Sequence, residues 1–408
     1  MPRFDLGVWV TRPFPRTWTH VVKGSFADPQ QATQGATDLF CYDANAGIAA
    51  FFATVRSGHL DDGTVVQDGP CQVGPNHTSF SRRWTHVVSG RFIDPIVPNK
   101  IQLLLYDATT GTSEFYSTNG QGSLDLVRQH TGWRTGWTMI LAGRFGKTIG
   151  LLFYSASTGT GEFYRVDHLG DIFLAKRYTN WRGSWHTILA GNFSSSQFDD
   201  LLFYDRGAGF GEFYRLDDNA GMTQFSAHDN WRATWQHIVS GQFLQNSPAD
   251  GLLFYEEGTR HTEIYSTNGQ GSISQIDVTL GNEWSLPWNT ILAGEFTPNI
   301  GLIGTSRLCS YDAVDGTLRY FFLEPLTIHT VFDLNGPWTA GGPQRPVISA
   351  ALSSLTVDMS AFHRPPAHGS IVNASTISVT FPDDATFTGT LQAPNRIRWS
   401  NGTVWTKV

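Results

Sequence analysis

One aromatic phrase recurs along the chain and limits what the chain can fold into. It reads NWRGSWHTILAGNF at residues 180–193. Similar versions are GWRTGWTMILAGRF at 132–145 and NWRATWQHIVSGQF at 230–243. Self-similarity of this kind is typical of repeat architectures, in which each copy is one supersecondary unit that buries its apolar face against its neighbours.

The second tryptophan of the phrase marks each copy. It recurs six times, and successive copies are 48 to 66 residues apart. These anchor tryptophans are Trp18, Trp84, Trp137, Trp185, Trp235 and Trp288. A period of about 50 residues matches that of β-propeller blades.

Each unit contains four short strand signals. They are W-x-x-I/V-L/V-x-G-x-F, then LLFYD, then GEFYRxD, and then a weaker run that ends in the next Trp-Arg pair. Glycine-rich and Asp/Asn turns such as TGTG and TNGQG separate them, which is typical of hairpins. The second strand is apolar on both faces, as expected for a strand between neighbouring blades. Each unit therefore predicts one four-stranded antiparallel blade.

Six anchors predict an all-β, six-bladed β-propeller over residues 1–340. The fourth strand of the last blade has two candidates, the N-terminal FDLGVWVTRPFPRTW at 4–18 and HTVFDLNGPW at 329–338. We favour the N-terminal segment because the chain starts in the middle of a blade. Pairing the chain start with the chain end also leaves no open sheet edge.

The repeat stops near the breaker sequence GGPQRP, and residues 341–408 are predicted to form a small C-terminal β domain. Residues 377–408 read as short alternating strands joined by DD, PN and NG turns, which predicts a β-meander. This segment is short for a large core of its own. We therefore expect it to pack on the propeller.

Composition excludes several functions. The net charge of −7 argues against a nucleic-acid partner, because binding a phosphate backbone requires clustered positive charge. No apolar run is long enough to span a membrane, and the N-terminus lacks the apolar core of a signal peptide. We expect a cytoplasmic or non-classically exported protein. Cys41 and Cys309 lie in apolar strand patterns and are expected to be buried thiols, so with Cys71 they make no disulfide framework.

Metal binding is not predicted. The loops between first and second strands, such as FSSSQFDD and FLQNSPAD, lack the alternating carboxylates that calcium requires. His20, His86 and His237 each fall two residues after an anchor tryptophan, so they are candidates for a set that converges on the central channel and holds zinc. We favour separate histidines hydrogen-bonded to neighbouring strands, because His237 lies across the ring from the other two.

The sequence offers no nucleophile elbow, phosphate loop or paired cysteine and histidine, so we predict no catalytic residue and no cofactor, and enzymatic activity stays open. The first tryptophan of the phrase and its arginine lie at a turn near the surface. An aromatic face beside a polar donor can hold a sugar ring, and the arginine can also stack on an indole. The candidate ligand-binding residues are Trp133, Arg134, Trp181, Arg182, Trp231, Arg232 and, without an arginine, Trp284.

The units W-x-x-I-L-A-G-x-F, L-L-F-Y-D, G-E-F-Y-R and W-R-x-x-W resemble the repeats of β-propeller lectins that bind fucose and related glycans. The resemblance covers roughly residues 4–325. It implies the propeller fold and repeated, non-catalytic sugar sites. The units of this chain have diverged from one another, which counts against a full ring of equivalent sites.

Divergent blades also suit a single asymmetric pocket. An apolar pocket with a few hydrogen-bond donors is sufficient for a cofactor-free enzyme of secondary metabolism, a pericyclase. Fungal propeller-type hetero-Diels–Alderases are enzymes of this kind, although no motif of theirs is matched in this chain. A third hypothesis is a protein-interaction scaffold. We place glycan binding first, so the expected partner is a glycan or, for the second hypothesis, a small apolar molecule.

Overall fold

A computed structural model describes most of the chain. The described residues are 3–14, 18–27, 37–55, 58–59, 65–66, 69–80, 83–94, 101–244, 247, 249–280, 284, 286–296, 306–325, 330–351 and 354–408. They fold into two compact units. One unit contains Val8–Gln275 and Asn282–Phe322, and the other contains Met1–Gly7, Ile276–Gly281 and Leu323–Val408.

The strands before residue 326 form a six-bladed β-propeller, so the prediction of an all-β propeller is confirmed. Each blade is a four-stranded antiparallel meander. Blade 1 has β2 (His20–Gly24), β3 (Asp38–Asp43), β4 (Ile48–Val55) and β7 (Gly69–His77), with a two-stranded ribbon of β5 (Gly58–His59) and β6 (Val65–Val66) inserted before β7. This ribbon accounts for the length of the first repeat.

Blades 2 to 4 follow the same order. Blade 2 has β8 (His86–Gly90), β10 (Gln102–Asp107), β11 (Thr112–Thr118) and β12 (Leu124–His130). Blade 3 has β13 (Met139–Ala142), β14 (Leu151–Ser155), β15 (Thr160–Asp167) and β16 (Ile172–Tyr178), and the short β9 (Ile93–Asp94) pairs in parallel with β15. Blade 4 has β17 (Thr187–Gly191), β18 (Asp200–Asp205), β19 (Phe210–Leu216) and β20 (Met222–His228).

The last two blades close the ring. Blade 5 has β21 (His237–Gly241), β22 (Gly251–Glu256), β23 (His261–Thr267) and β24 (Ile273–Leu280). Blade 6 has β25 (Thr290–Gly294), β26 (Arg307–Asp312), β27 (Thr317–Pro325) and, as its outermost strand, β1 (Arg3–Pro13). The N-terminal segment therefore closes the sixth blade, as the sequence predicts. Each innermost strand contacts the innermost strands of both neighbouring blades, around to β25 and β2.

The core of the propeller lies between the blades. The second strand of every blade is buried along its described length, and clusters of buried side chains connect blade 6 to blade 1 and each following pair through blades 4 and 5. All six anchor tryptophans are at most 6% exposed. Burying an indole removes a large apolar surface from water, so these side chains stabilise the joints between blades.

A second joint, which the sequence does not predict, connects the loops before the second strands. The side chain of the residue directly before the second strand accepts a hydrogen bond from a backbone N–H of the preceding blade. The backbone N–H of that residue in turn donates to the carbonyl of the residue whose N–H it accepts. The pairs are Asp199 with Arg144, Asp250 with Asn192, Ser306 with Gln242 and Thr37 with Glu295. These reciprocal bonds satisfy loop backbone groups that would otherwise lack partners.

The C-terminal strands form a closed barrel with its own core. In order around the barrel they are β28 (Gly336–Thr339), β29 (Val347–Ala351), β30 (Ser354–Asp358), β31 (Ala367–Asn373), β32 (Thr376–Thr380), β33 (Thr386–Gln392), β34 (Arg396–Trp399) and β35 (Val404–Lys407). A 3-10 helix covers Ser360–Phe362. Closure comes from pairing of β28 with β35, at Trp338 opposite Lys407.

The barrel corrects two sequence expectations. The predicted meander is present but closed, and buried side chains such as Trp338, Trp399 and Trp405 give it a core that the sequence reading did not assign. Its first strand begins at Gly336, before the predicted boundary at 341. The segment 329–338, considered as a closing strand for blade 6, instead contributes to this barrel strand.

Candidate functional site

The turn that carries the first tryptophan is fixed by its backbone. Asn180 has φ 65°, in the left-handed region that asparagine and glycine tolerate best. The N–H of Trp181 then donates to the carbonyl of Gly159 at 2.9 Å. Gly159 has φ 59°, and a Cβ there would lie 2.4 Å from the Trp181 carbonyl oxygen. The left-handed conformation favours asparagine at the start of the phrase, and the close approach of the Trp181 carbonyl requires glycine in the facing turn.

The ring of Trp181 lies between blades 3 and 4. It stacks on Tyr178 with ring centroids 5.6 Å apart and meets Phe203 edge-on at 5.0 Å. The ring is only half-buried, and so are those of Trp133 and Trp231, which stand at the same position in their repeats. The first tryptophan is thus partly a joint between blades, while part of its surface stays open to solvent.

Arg182, which follows Trp181, has a backbone fixed by a hydrogen bond and a side chain that is partly exposed to solvent. The hydroxyl of Tyr154 in the preceding blade donates to the carbonyl of Arg182. The guanidinium of Arg182 turns over the ring of Trp185, 5.2 Å from its centroid, and the side chain is 47% exposed. Arg134 and Arg232 lie over Trp137 and Trp235 in the same way, at 4.6 and 5.5 Å. The cation–π contact of the phrase therefore forms with the second indole.

A glutamate and a tyrosine, which were not predicted from the sequence, lie beside the Trp-Arg pair. Glu212 and Tyr214 lie two residues apart on β19, on one face of the strand. The guanidinium of Arg182 is 3.4 Å from Glu212 Oε1, and the Tyr214 hydroxyl donates to Oε2 at 2.7 Å. Burial, and then the hydrogen bond to Glu212, raises the pKa of Tyr214, so at neutral pH the phenol is a hydrogen-bond donor.

Three blades carry the complete set of two tryptophans, arginine, glutamate and tyrosine. Site A consists of Trp133, Arg134, Trp137, Glu162 and Tyr164; site B of Trp181, Arg182, Trp185, Glu212 and Tyr214; and site C of Trp231, Arg232, Trp235, Glu263 and Tyr265. The cavity at site A is about 200 Å³ and that at site B about 320 Å³. In all three sites the glutamate is the cross-strand partner of a phenylalanine on the second strand of its blade.

The other three blades lack part of the set. Blade 2 keeps Glu114, with Tyr116 donating to it at 2.6 Å, but has Phe80 and Ser81 where the Trp-Arg pair occurs in other repeats. At the strand position that corresponds to Glu212, blade 1 has Ala50 and blade 6 has Arg319. The repeat therefore preserves the fold in six blades and this side-chain set in three.

Trp284 does not belong with the other candidates. It is 2% exposed, and its ring lies edge-on to Phe321 with centroids 4.8 Å apart. Its indole N–H donates to Thr262 Oγ1. Trp284 therefore differs from the three half-buried first tryptophans, and its contact with a ligand stays a prediction that this buried placement does not favour.

Two of the three histidines predicted to face the channel lie against backbone carbonyls directly before the inner strand of the next blade. His20 Nε2 lies 3.2 Å from the Thr85 carbonyl oxygen, and His86 Nε2 lies 3.2 Å from that of Thr138. His237 packs on Tyr255, with ring centroids 5.9 Å apart. Among the residues the structure describes, no group of three or more His, Cys, Asp or Glu side chains is arranged to hold a metal ion.

Acid is expected to destabilise the propeller through these histidines. Burial, and then the charge of His186, lowers the pKa of His237 to about 4, and burial lowers those of His20 and His86. An unfolded histidine titrates near 6.5. Their contribution to the free energy of unfolding is therefore fully present above about pH 6.5 and is lost as the pH falls from there toward 4.

His237→Gln should flatten this dependence. Thermal unfolding followed by circular dichroism from pH 7 to pH 4.5 should show a smaller decrease in Tm for the variant than for the wild type. His168→Gln, in an exposed turn, is the control and should behave like the wild type. An unchanged acid dependence in His237→Gln would show that His237 does not contribute.

Gly161→Ala should displace the first tryptophan of site B. A Cβ on Gly161 would lie 2.2 Å from Cζ3 of Trp181, so the indole must shift. Forced overpacking costs about 1–3 kcal/mol. We expect a lower Tm and a red-shifted tryptophan emission. Gly258→Ala is the matched control, because a Cβ there meets no heavy atom within 4 Å, and equal effects of the two variants would contradict the assigned contact.

Comparison with known proteins does not place the chain in a family. No family model and no curated protein sequence matches the chain. The solved structures that resemble it include a protein from Lactobacillus plantarum, with TM-score 0.37, 12% identity and coverage of 84% of this chain and 92% of that one, and Saccharomyces cerevisiae Sqt1, with TM-score 0.34, 10% identity and coverage of 75% and 82%. Likeness at this level carries no argument about this chain. Among described residues, no helix has the length and apolarity to cross a membrane.

Proposed function

We propose that the protein is a non-catalytic carbohydrate-binding propeller, and that sites A, B and C are its sugar sites. The observation that carries the proposal is the half-exposed arginine paired with a largely buried glutamate over an indole, repeated in three blades at one register. The hydroxyl groups of a sugar both donate and accept hydrogen bonds. The carboxylate can accept from them, and the guanidinium can donate to them. The C–H face of a sugar packs on an aromatic surface.

Site B illustrates the chemistry. Its cavity of about 320 Å³ suits one small ligand. Arg182 supplies N–H donors and Glu212 supplies an acceptor, and both are charged, which strengthens bonds to hydroxyls. Trp181, Phe203 and Met222 line the rest with apolar surface. That surface suits a deoxy sugar with an exposed methyl group, in line with the resemblance to fucose-binding lectins.

The arrangement favours binding over hydrolysis. Glycoside hydrolysis canonically uses two carboxyl groups on either side of the scissile bond. The lining of site B has a single carboxylate, Glu212, already held by Arg182 and Tyr214. Fixed charge partners of this kind support recognition of hydroxyl groups rather than proton transfer.

The pericyclase hypothesis has no comparable support. It requires an apolar pocket, whereas the further cavity of about 420 Å³, on the loops after the inner strands of blades 2 and 3, has Arg91, Arg144, Lys147 and Asp199 in its wall. No specific contact favours the scaffold hypothesis either. We therefore retain carbohydrate binding as the proposed function.

A glycan array tests this proposal. The labelled protein should bind fucosylated glycans, and free L-fucose should compete more strongly than galactose. Arg182→Ala should reduce the bound signal. Absence of binding to every printed glycan, at protein concentrations up to the micromolar range, would exclude the proposal.

A further inference from the structure

The three sites are chemically unequal at the position facing their glutamate. On β16, Arg177 is the cross-strand partner of Glu162 in site A. On β20, the same position opposite Glu212 of site B is Ala227. Directly opposed side chains on antiparallel strands lie within contact distance. The identity of this one residue therefore determines what reaches the carboxylate from the outer strand.

In site A the carboxylate is already occupied. Arg177 Nε lies 2.7 Å from Glu162 Oε1, and Arg134 Nη2 lies 3.1 Å from the same oxygen. The Tyr164 hydroxyl donates to Oε2. The Glu162 side chain is only 2% exposed. A ligand hydroxyl would have to displace a short, charge-assisted bond from the half-exposed Arg177 to a buried carboxylate, and such bonds are stronger than those a neutral hydroxyl makes.

In site B the carboxylate is more open. Among the residues that the structure describes, Oε1 of Glu212 has one cationic neighbour, Arg182, at the longer distance of 3.4 Å. The Glu212 side chain is 11% exposed. The cavity is larger, about 320 Å³ against about 200 Å³ in site A. A ligand can therefore reach Oε1 here without breaking a short internal ion pair.

Site C resembles site A, although the competing group comes from a different strand. His261 Nε2 lies 2.8 Å from Glu263 Oε1, closer than Arg232 at 3.4 Å. His261 also stacks on Trp235, with ring centroids 5.7 Å apart. The corresponding residue of site B, Phe210, packs on the arginine and offers the glutamate no hydrogen bond.

We infer that site B is the principal sugar site, that Arg177 closes site A by occupying Glu162, and that Ala227 keeps site B open. This inference rests on the proposed function and goes beyond it. It makes Arg177 and Ala227 specificity-determining residues outside the Trp-Arg phrase. One chain should therefore take up one equivalent of a monosaccharide at concentrations that leave sites A and C empty.

Isothermal titration with L-fucose tests the inference on the full chain. The wild type should bind about one equivalent, Arg177→Ala about two, and Ala227→Arg should bind at least tenfold more weakly. Arg128→Ala, at an exposed arginine of β12 that pairs with Asp171 and lines neither cavity, is the matched control and should leave the stoichiometry at one. Circular dichroism melts verify that each variant is folded.

The possible outcomes distinguish failure of this inference from failure of the proposed function. Two or three equal equivalents in the wild type, or weaker binding by Arg177→Ala, would overturn the inference and leave carbohydrate binding standing, because Arg177 would then assist a ligand. No heat of binding in the wild type or any variant, together with a blank glycan array, would overturn both the proposed function and the inference.

Discussion

Glu212→Gln is expected to weaken L-fucose binding by about tenfold to a hundredfold. The substitution keeps the size of the side chain and removes its charge. It also puts an amide in contact with two donors, Arg182 and the Tyr214 hydroxyl, so at least one donor loses its acceptor. Loss of a hydrogen bond to a charged group costs about 1.5–3 kcal/mol, and each 1.4 kcal/mol is about a factor of ten in Kd. Isothermal titration measures the change.

Glu114→Gln is the control for this experiment. Glu114 has the same register position and the same tyrosine contact, in a blade whose sequence lacks the Trp-Arg pair. Its substitution should leave the affinity for L-fucose unchanged. Equal effects of the two substitutions would show that the loss arises from general destabilisation, and wild-type affinity in Glu212→Gln would remove Glu212 from the site.

Deleting residues 1–13 is expected to abolish the cooperative unfolding transition of the propeller. These residues include β1, which lies between β27 of blade 6 and β24 of blade 5 in one eight-stranded sheet. Without β1, blade 6 has three strands and an unpaired edge, which invites aggregation. The N–H of Phe14 donates to the Gly316 carbonyl at 2.8 Å, so the deletion also weakens the anchoring of the segment that follows.

Calorimetry with size-exclusion chromatography measures this effect. A synthetic peptide of residues 1–14, added in trans, should restore part of the transition. The control replaces the ribbon of β5 and β6 by a short turn, since Val55 and Gly69 are already cross-strand partners. That variant should unfold cooperatively. A truncated chain with wild-type Tm would contradict the closure of the ring by β1.

The architecture was predictable because it follows from a pattern that six copies repeat. The anchor tryptophans and the doubly apolar second strands each have one structural solution, a buried joint between blades. Closure by β1 was favoured over the alternative segment 329–338 because the chain starts in the middle of a blade, and the structure pairs β1 with β27. The closed barrel was harder to predict, because its strands β28 to β31 carry no repeat and their pairing is set by tertiary contacts.

The sequence predicted the Trp-Arg pair of the site and missed the glutamate and the tyrosine. The Trp-Arg pair attracts attention as a motif, while Glu212 and Tyr214 lie in a segment that already reads as an ordinary strand. Their i, i+2 spacing was the available signal, because it puts both side chains on one face. The difference between Arg177 and Ala227 could not be found without strand register, since it matters only through the residue opposite on β15 or β19. Trp284 follows the motif, yet its blade buries it.

The decisive experiment is a crystal structure of the chain soaked with L-fucose. We expect one well-ordered sugar in site B, with hydroxyls hydrogen-bonded to Glu212 and Arg182 and an apolar face on the adjacent indole surface. Site A should remain closed by the ion pair between Arg177 and Glu162. A sugar bound elsewhere on the propeller, with site B empty at saturating L-fucose, would show that site B is not the principal sugar site.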